Sequence, residues 1–237
     1  MIPAWNAVRT RVSELSGGRA TLVAVSKTKP QETVSELYAA GQRDFGENYV
    51  QELHDKAHAL AATCPDIRWH FIGHLQSNKA KLLLQTPRLV AVQTVDSAKL
   101  ASKLDAAVQQ LQRDSSAPPL DVYVQVNTSG EASKSGVPPD AASVLALVQH
   151  IREQCPRLRF AGLMTIGERG DTTGDFELLR DVRQRVADAL SQAPDDFALS
   201  MGMSGDYEKA LELGSGVVRV GSLIFGARDV PPGNATQ

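Results

Sequence analysis

The sequence predicts a single (β/α)8 barrel preceded by an additional N-terminal helix. Eight short apolar runs alternate with segments of helical period along the chain. Several of the runs are continuously apolar, which is typical of parallel strands that are covered on both faces. Eight such units in 237 residues fit a closed barrel better than an open doubly wound sheet, the structural alternative.

The elements follow one another in a regular order. Strands are predicted at residues 21–27, 44–47, 68–73, 89–96, 120–128, 159–167, 198–204 and 217–226. Helices are predicted near 3–15 and at 30–40, 49–62, 97–112, 138–153, 175–192 and 206–214. Pro30 suits a first helical turn, Asp96 or Ser97 an N-cap, and Gly214 a C-cap. No segment of low complexity divides the chain, so residues 1–237 are expected to form one domain.

The composition argues against several classes of function. The net charge is −2 and the basic residues are scattered, so nucleic acid is not an expected partner. The sequence has neither a signal-peptide pattern nor an apolar stretch of roughly 18 to 20 residues that could span a membrane. Cys64 and Cys155 lie far apart, which predicts reduced thiols in a cytoplasmic protein. His70 and His74 are four residues apart, but His70 belongs to a strand, so no metal site is predicted.

Polar residues follow most of the predicted strands. A barrel of this kind carries its functional residues at the C-terminal ends of the strands and in the loops after them. These positions hold Lys27, Glu47, Asn48, His74, Gln76, Asp96, Asn127, Met164, Thr165, Ser204 and residues 219–222. Their polar side chains are therefore expected on one rim of the barrel.

Two segments near the C-terminus indicate a phosphate site. GMSGDYEKA (202–210) offers backbone N–H groups and a hydroxyl before a short helix, although Ser-Gly-Asp is also a common N-cap and turn. Gly221 and Ser222 interrupt an apolar run directly after Arg219. Barrel enzymes frequently bind phosphate between the loops after strands 7 and 8. Together the segments favour a phosphate-bearing ligand, while Gly221 alone could mark a kink at a barrel corner.

Two cations occupy unusual positions. Lys27 follows an apolar strand, and a lysine in a partly desolvated pocket has a lowered pKa and is nucleophilic toward carbonyls. A carbonyl ligand that carries a phosphate suggests pyridoxal phosphate. Arg219 lies inside an apolar strand and needs a partner, either an acid such as Glu47 or Asp206 or a ligand heteroatom. Polar neighbours predict that the other candidate lysines are solvated: Lys29, Lys79 and Lys134.

The same segments resemble the pyridoxal phosphate homeostasis protein family, the single-domain relatives of the alanine racemase N-terminal barrel. The matching stretches are AVSKTKP, DFGENYVQE, WHFIGHLQSNK, VQTVDS, VQVNTSGEASKSG, GLMTIG, LSMGMSGDYEKA and VRVGSLIFGAR. They span residues 24–228 in a consistent order, so the resemblance covers nearly the whole chain.

The resemblance implies a role for each candidate residue. It implies that Lys27 forms a reversible internal aldimine with pyridoxal phosphate and that Arg219 faces the pyridine nitrogen. It implies the remaining contacts at Asn48, beside the cofactor, and at Ser204, Gly221 and Ser222, which bind the phosphate. Many relatives have threonine at 222, and serine keeps the hydroxyl. An arginine with a pKa above about 12 retains its proton, so it leaves the ring nitrogen unprotonated and weakens carbanion chemistry.

The resemblance further implies a monomeric, non-catalytic carrier that buffers the vitamin B6 aldehyde and delivers it to pyridoxal phosphate-dependent apo-enzymes. The racemases add a β-rich domain and a catalytic tyrosine from a dimer partner. This sequence ends shortly after FGAR, which leaves no room for such a domain, and its tyrosines match no such motif: Tyr38, Tyr49, Tyr123 and Tyr207. A racemase needs a proton donor on each face of the ring, and Lys27 supplies one. The alternatives are an amino-acid racemase or related enzyme, and a phosphosugar barrel that uses Lys27 for a Schiff base.

Overall fold

Eight parallel strands close into a barrel in the computed structural model of this chain. The structure describes residues 1–111, 118–131, 134–168 and 170–226. The strands are β1 (Thr21–Val25), β2 (Asp44–Glu47), β3 (Arg68–Phe71), β4 (Leu89–Val95), β5 (Leu120–Gln125), β6 (Leu158–Met164), β7 (Ala198–Ser200) and β8 (Val217–Val220). Each strand pairs in parallel with the next, and β8 closes onto β1 with Arg219 opposite Val23. The predicted barrel is confirmed.

Helices connect consecutive strands on the outside of this barrel. They are α1 (Ile2–Ser16), α2 (Gln31–Ala39), α3 (Val50–Leu60), α4 (Ala80–Leu84), α5 (Ala98–Gln110), α6 (Ala141–Gln154), α7 (Thr173–Leu190), α8 (Tyr207–Glu212) and α9 (Ser222–Phe225), with 3₁₀ turns at Ser77–Lys79 and Pro194–Asp196. The additional N-terminal helix is confirmed as α1. Ser97 is the N-cap of α5, because its Oγ accepts the N–H of Leu100 at 3.3 Å. Gly214 follows α8 with a φ of 90°, a conformation that suits glycine.

The structure contains two short helices that the predicted elements lack. The run 217–226 is not one strand, because the chain leaves β8 at Val220 and turns into α9. Helix α4, after β3, is absent from the predicted elements. Both helices are four or five residues long, and so short a helix shows too little of its 3.6-residue period to be distinguished from an apolar strand.

The core has an outer and an inner part. The outer part lies between the strands and the helices and includes large, fully buried side chains such as Trp69, Phe45 and Phe176. Full burial of each side chain of this size contributes roughly 1.5 to 3 kcal/mol. Inside the barrel a smaller apolar cluster gathers Val23, Ala91, Tyr123, Met164 and Val217. Tight packing on both faces of the strands fixes the rim formed by their C-terminal ends.

The described residues include neither a helix suited to a bilayer nor a metal-binding cluster. None of the helices in these residues is long and apolar enough to cross a bilayer. Within the same ranges, no cluster of three or more His, Cys, Asp or Glu side chains could hold a metal ion. His70 lies in β3 and His74 in the loop that follows.

Candidate functional site

A cavity of about 400 Å³ opens at the C-terminal rim of the barrel. Residues that follow β1, β2, β7 and β8 form most of its polar lining. All six of the cofactor-binding residues named from the sequence line this one cavity: Lys27, Asn48, Ser204, Arg219, Gly221 and Ser222. The structure therefore brings together side chains that are up to 195 positions apart in the chain, from residue 27 to residue 222.

The amine of the site follows β1 by two residues. Lys27 is half-buried in the loop between β1 and α2, and it lies beyond the strand end predicted for it. Lys29 is also half-buried and lines the cavity. This corrects the expectation that Lys29 is solvated, which considered only its neighbours in the sequence. The cavity lining therefore includes two lysines, Lys27 and Lys29.

Asn48 approaches the cavity from the end of β2. Its Oδ1 is buried and has no hydrogen-bond partner within the described residues, so it is an acceptor available to a ligand donor. The chain after β3 passes close to the Asn48 backbone at Gly73, because a Cβ at that position would lie 1.9 Å from the Asn48 backbone oxygen. The backbone of Asn48 therefore packs against Gly73, a position where no other residue would fit.

Hydrogen-bond donors converge near the start of α9. The Oγ of Ser204 accepts the N–H groups of Gly221 at 3.2 Å and Leu223 at 3.4 Å. The hydroxyl of Ser222 is exposed at the first position of α9. Gly221 packs closely against β1, since a Cβ there would lie 3.2 Å from the Val25 oxygen. The Ser204 and Ser222 hydroxyls are donors for an anion at this end of the cavity, and the N–H groups of Gly221 and Leu223, which here donate to Ser204, lie beside them.

Arg219, on β8, contributes a buried guanidinium to the cavity lining. Its Nη1 donates to Ser200 Oγ at 2.6 Å, and its Nη2 donates to the Thr165 carbonyl at 2.8 Å. Burial lowers the pKa of Arg219 to about 10, while the charge of Asp206 opposes this shift. At neutral pH the guanidinium therefore remains charged. The described residues include no ion pair from Arg219 to Glu47 or Asp206, the acids considered from the sequence.

A chain of buried hydrogen bonds leads from Arg219 through the barrel interior. The Ser200 hydroxyl donates to Gln93 Oε1 at 2.7 Å. The Gln93 amide nitrogen lies 3.1 Å from His70 Nδ1, and His70 Nε2 lies 2.9 Å from Asp44 Oδ1. Because the amide nitrogen can only donate, His70 Nδ1 accepts and its hydrogen is on Nε2. Every donor in the chain thus points away from the cavity, toward Asp44.

Ionic groups lie behind the loop that carries Lys27. The Nζ of Lys56, in α3, lies 2.8 Å from Glu47 Oε1, 2.6 Å from Glu52 Oε1 and 2.8 Å from the Ser26 carbonyl. Burial raises the pKa of Glu47 to about 7, and Lys56 limits the rise. Glu47 Oε2 is buried without a partner in the described residues. This cluster supports the amine from behind without lining the cavity.

Sequence reasoning missed Lys56, although a signal was present. Lys56 lies three residues after Leu53 and four before Leu60, and both leucines are buried. Residues at these spacings share one face of a helix, so Lys56 had to lie on the buried face of α3. A lysine at such a position predicts a nearby carboxylate.

The comparisons with known proteins identify the family of this chain. The family described as alanine racemase, N-terminal domain, matches residues 5–229. The pyridoxal phosphate homeostasis protein of Bos taurus is 49% identical over 230 residues, which cover 94% of this chain and 82% of the relative. This chain belongs to the pyridoxal phosphate homeostasis protein family.

Solved structures extend the comparison for this member of the pyridoxal phosphate homeostasis protein family. The structure of PipY of Synechococcus elongatus with pyridoxal phosphate bound has a TM-score of 0.74 and 33% identity, and covers 92% of this chain and 99% of PipY. An alanine racemase of Clostridium difficile has a TM-score of 0.69 at 12% identity, and the match covers 93% of this chain and 56% of the racemase. The likeness to the racemase concerns the fold alone.

Proposed function

We propose that this protein binds pyridoxal phosphate in the rim cavity and thereby buffers the cofactor in the cell. The observation that carries the proposal is that one cavity combines a lysine amine, a buried guanidinium and a cluster of hydroxyl and N–H donors. The name shared by the relatives and the cofactor in the PipY structure support the same ligand.

The polar groups of the cavity fit three polar parts of the cofactor: the phosphate, the ring hydroxyl and the pyridine nitrogen. Ser204, Gly221 and Ser222 would hold the phosphate, and Asn48 has a buried acceptor available for the ring hydroxyl. Arg219 would donate a hydrogen bond to the pyridine nitrogen, because a guanidinium has no acceptor. When bound, the cofactor supplies an electrophilic aldehyde carbon. Lys27 Nζ attacks that carbon, a C=N bond replaces the C=O bond, and one water leaves; addition of water reverses the step and releases the ligand.

We further propose that the protein is a carrier without catalytic turnover. Among the described residues that line the cavity, the ionisable side chains are Lys27, Lys29 and Arg219. Arg219, with a pKa of about 10, keeps its proton at neutral pH and therefore leaves the ring a weak electron sink. Tyr123, one candidate acid in the barrel, is buried, and burial raises its pKa to about 12. These features favour binding and release over proton transfer at an amino acid.

The position of Lys29 favours one competing function, that of an amino-acid racemase. A racemase needs proton-transfer groups on both faces of the ring, and Lys29 is a second amine in the cavity. Incubation with single L-amino acids, followed by chiral chromatography, separates the two functions. The carrier proposal expects no accumulation of D-amino acid. Turnover that is lost in both Lys27→Ala and Lys29→Ala would instead establish a racemase.

Spectroscopy of the purified protein tests binding directly. We expect the protein mixed with pyridoxal phosphate to show a visible band that borohydride removes, with the reduced adduct mapped to Lys27 by mass spectrometry. Lys27→Ala should lose the band and the adduct, whereas Lys79→Ala, a change at an exposed lysine outside the cavity, should retain both. An adduct that maps to another lysine would refute the role given to Lys27.

The phosphate contacts are tested by a double variant. Ser204→Ala combined with Ser222→Ala should weaken retention of the cofactor by about 1 to 3 kcal/mol for each charge-assisted hydrogen bond lost. Equilibrium dialysis measures the change. Unaltered affinity would mean that the phosphate binds elsewhere.

The proposed setting is the cytoplasm, where the protein would act as a monomer and pass the cofactor to apo-enzymes. The two unpaired, buried cysteines, Cys64 and Cys155, support a reducing compartment. Ile166 and Met203 expose apolar surface beside the cavity, where a recipient enzyme could approach. Light scattering tests the monomer, and reactivation of an apo-enzyme by the loaded protein, with and without a trap for free aldehyde, tests direct transfer.

A further inference from the structure

The residues on both sides of Lys27 are fastened by side chains from other elements. Ser26 Oγ donates to Glu47 Oε1 at 2.7 Å, and the Ser26 carbonyl accepts from Lys56 Nζ at 2.8 Å. On the other side, the Thr28 N–H donates to Glu52 Oε1 at 2.6 Å. The backbone of Lys27 is thus fixed at both ends, and Lys27 lines the cavity.

Thr28 adopts a backbone conformation that requires such support. Its φ is 63°, in the left-handed region, which β-branched residues rarely occupy. A residue in this conformation persists only where its surroundings impose it. The bond from Thr28 to Glu52 is such a constraint, because it ties the strained residue to α3.

One ammonium group joins all of these contacts. Lys56 Nζ bonds to Glu47, to Glu52 and to the Ser26 carbonyl, so it links β2, α3 and the Lys27 loop. The group is buried, since 8% of the Lys56 side chain and none of the Glu47 side chain is exposed. Without the ammonium, the buried Glu47 and the partly exposed Glu52 would lose the cation that joins them and would separate. The acceptor for Thr28 would then move away with Glu52.

We infer that Lys56 is a positioning residue for Lys27, which holds the β1–α2 loop in its strained conformation and aims the Lys27 amine into the cavity. The inference rests on the proposed function, since the benefit is a faster attack of Lys27 on a bound aldehyde. Glu47 and Glu52 share this role as the two anionic ends of the Lys56 contacts.

The kinetic test first removes the Lys56 ammonium and then relieves the backbone strain at Thr28 that this ammonium helps to maintain. Lys56→Met should slow formation of the C=N bond, followed by stopped-flow absorbance with pyridoxal phosphate, by roughly ten- to a hundred-fold because the amine is misaligned. Adding Thr28→Gly should recover part of the lost rate, because glycine adopts a positive φ without strain. Lys103→Met, which removes an exposed lysine of α5, is the matched control and should retain the wild-type rate.

A second measurement needs no cofactor. The N–H of Thr28 is bonded to Glu52, and the N–H of Lys29 to the Ser26 carbonyl at 3.1 Å. In the cofactor-free protein, amide hydrogen exchange of residues 26–29 should be faster in Lys56→Met and in Glu52→Ala than in wild type. Glu52→Ala removes a partly exposed side chain and serves if Lys56→Met does not fold.

The outcomes separate the inference from the proposed function. If the wild-type protein forms no adduct but the variants exchange faster, the proposed function is refuted. The conclusion that Lys56 holds the β1–α2 loop then still stands. Wild-type exchange and adduct rate in Lys56→Met would overturn the inference while the function stands. A slowed rate that Thr28→Gly does not recover would also overturn it, because the effect would not act through the loop.

Discussion

The two walls of the cavity are stabilised by different kinds of interaction. Behind Lys27 the buried partners are ions, with Lys56 within 2.8 Å of both Glu47 and Glu52. Behind Arg219 the partners are a serine hydroxyl and a carbonyl oxygen, both neutral. The first wall therefore has two carboxylates for one ammonium, whereas the second has a guanidinium that no carboxylate contacts among the described residues.

This difference explains how the two cations can serve different purposes. Opposite charges in direct contact largely cancel each other's field, so the Lys56 cluster mainly fixes geometry. A guanidinium with neutral partners keeps its field, and a buried field is weakly screened. The attraction for an anion or a pyridine nitrogen is therefore concentrated on the Arg219 wall, while the Lys56 wall rigidifies the nucleophile's loop.

The comparison predicts that equivalent substitutions will have unequal effects on stability, and this is the largest expected effect. Lys56→Met leaves the buried Glu47 carboxyl and the partly exposed Glu52 carboxylate without their shared counter-ion and should lower the free energy of unfolding by about 3 to 5 kcal/mol. Arg219→Met also removes a buried charge that lacks an ionic partner, so it should be less destabilising than Lys56→Met. Urea unfolding of the cofactor-free variants measures both. Equal losses would contradict the distinction between the two walls.

An intermediate effect is expected for the hydrogen-bond chain behind Arg219. Gln93→Leu removes the acceptor of the Ser200 hydroxyl and the donor to His70 Nδ1, and it should destabilise the fold by about 1 to 3 kcal/mol. It should also weaken retention of pyridoxal phosphate, because Ser200 no longer holds Arg219 in place. Gln109→Leu, at an exposed position of α5, is the control. A loss of stability with wild-type retention would show that the chain does not position Arg219.

The last effect, comparable in size to that of Gln93→Leu, concerns the pH dependence of the Lys56 wall. Burial raises the pKa of Glu47 from 4.5 to about 7 in the folded protein, so the folded state binds this proton more tightly than the unfolded chain does. This contribution to stability is fully present below pH 4.5 and is lost as the pH rises through 7. Between pH 8 and pH 5, wild type should therefore gain about 1 to 3 kcal/mol relative to Glu47→Gln.

Paired unfolding curves at several pH values measure this gain. The difference between wild type and Glu47→Gln cancels the carboxylates that titrate in both, including Asp44, whose pKa is lowered by its contacts with His70 and Arg68 despite its burial. Glu36→Gln, at an exposed position of α2, should give a curve parallel to that of wild type. A parallel curve for Glu47→Gln would mean that Glu47 is ionised throughout this range.

Most of the fold could be predicted because its signals are local. Strand composition, helix period and caps such as Ser97 depend on neighbours within a few residues, and they located all eight strands. The errors arose where local and tertiary signals conflict. The apolar residues of α9 have the composition of a strand, and the chain turns there because Gly221 packs against the Val25 oxygen on β1, which is remote in the sequence.

The composition of the site could be predicted, and its internal contacts could not. The barrel rule gathers the ends of all strands at one rim, so Lys27, Asn48 and Ser204 had to face one another once the strands were identified. The same rule does not predict which residues inside a loop line the cavity. For this reason the sequence predicts that Lys29 is solvated, whereas the structure places it in the cavity lining. The burial of Lys56 needed the helical period of α3 to be combined with the position of Glu47 on β2.

The sequence by itself determined the order of the elements and the identity of the polar residues at their ends, because short-range preferences control both. The tertiary structure decided the partners of the two buried cations. Gln93 and Ser200, which hold Arg219 in place, are 107 positions apart and meet only because the barrel closes. Ser200 reaches Arg219 from the neighbouring strand β7, and Glu47 reaches Lys56 through the packing of α3 on β2, since each buried polar group bonds to whatever partner the packed elements present to it.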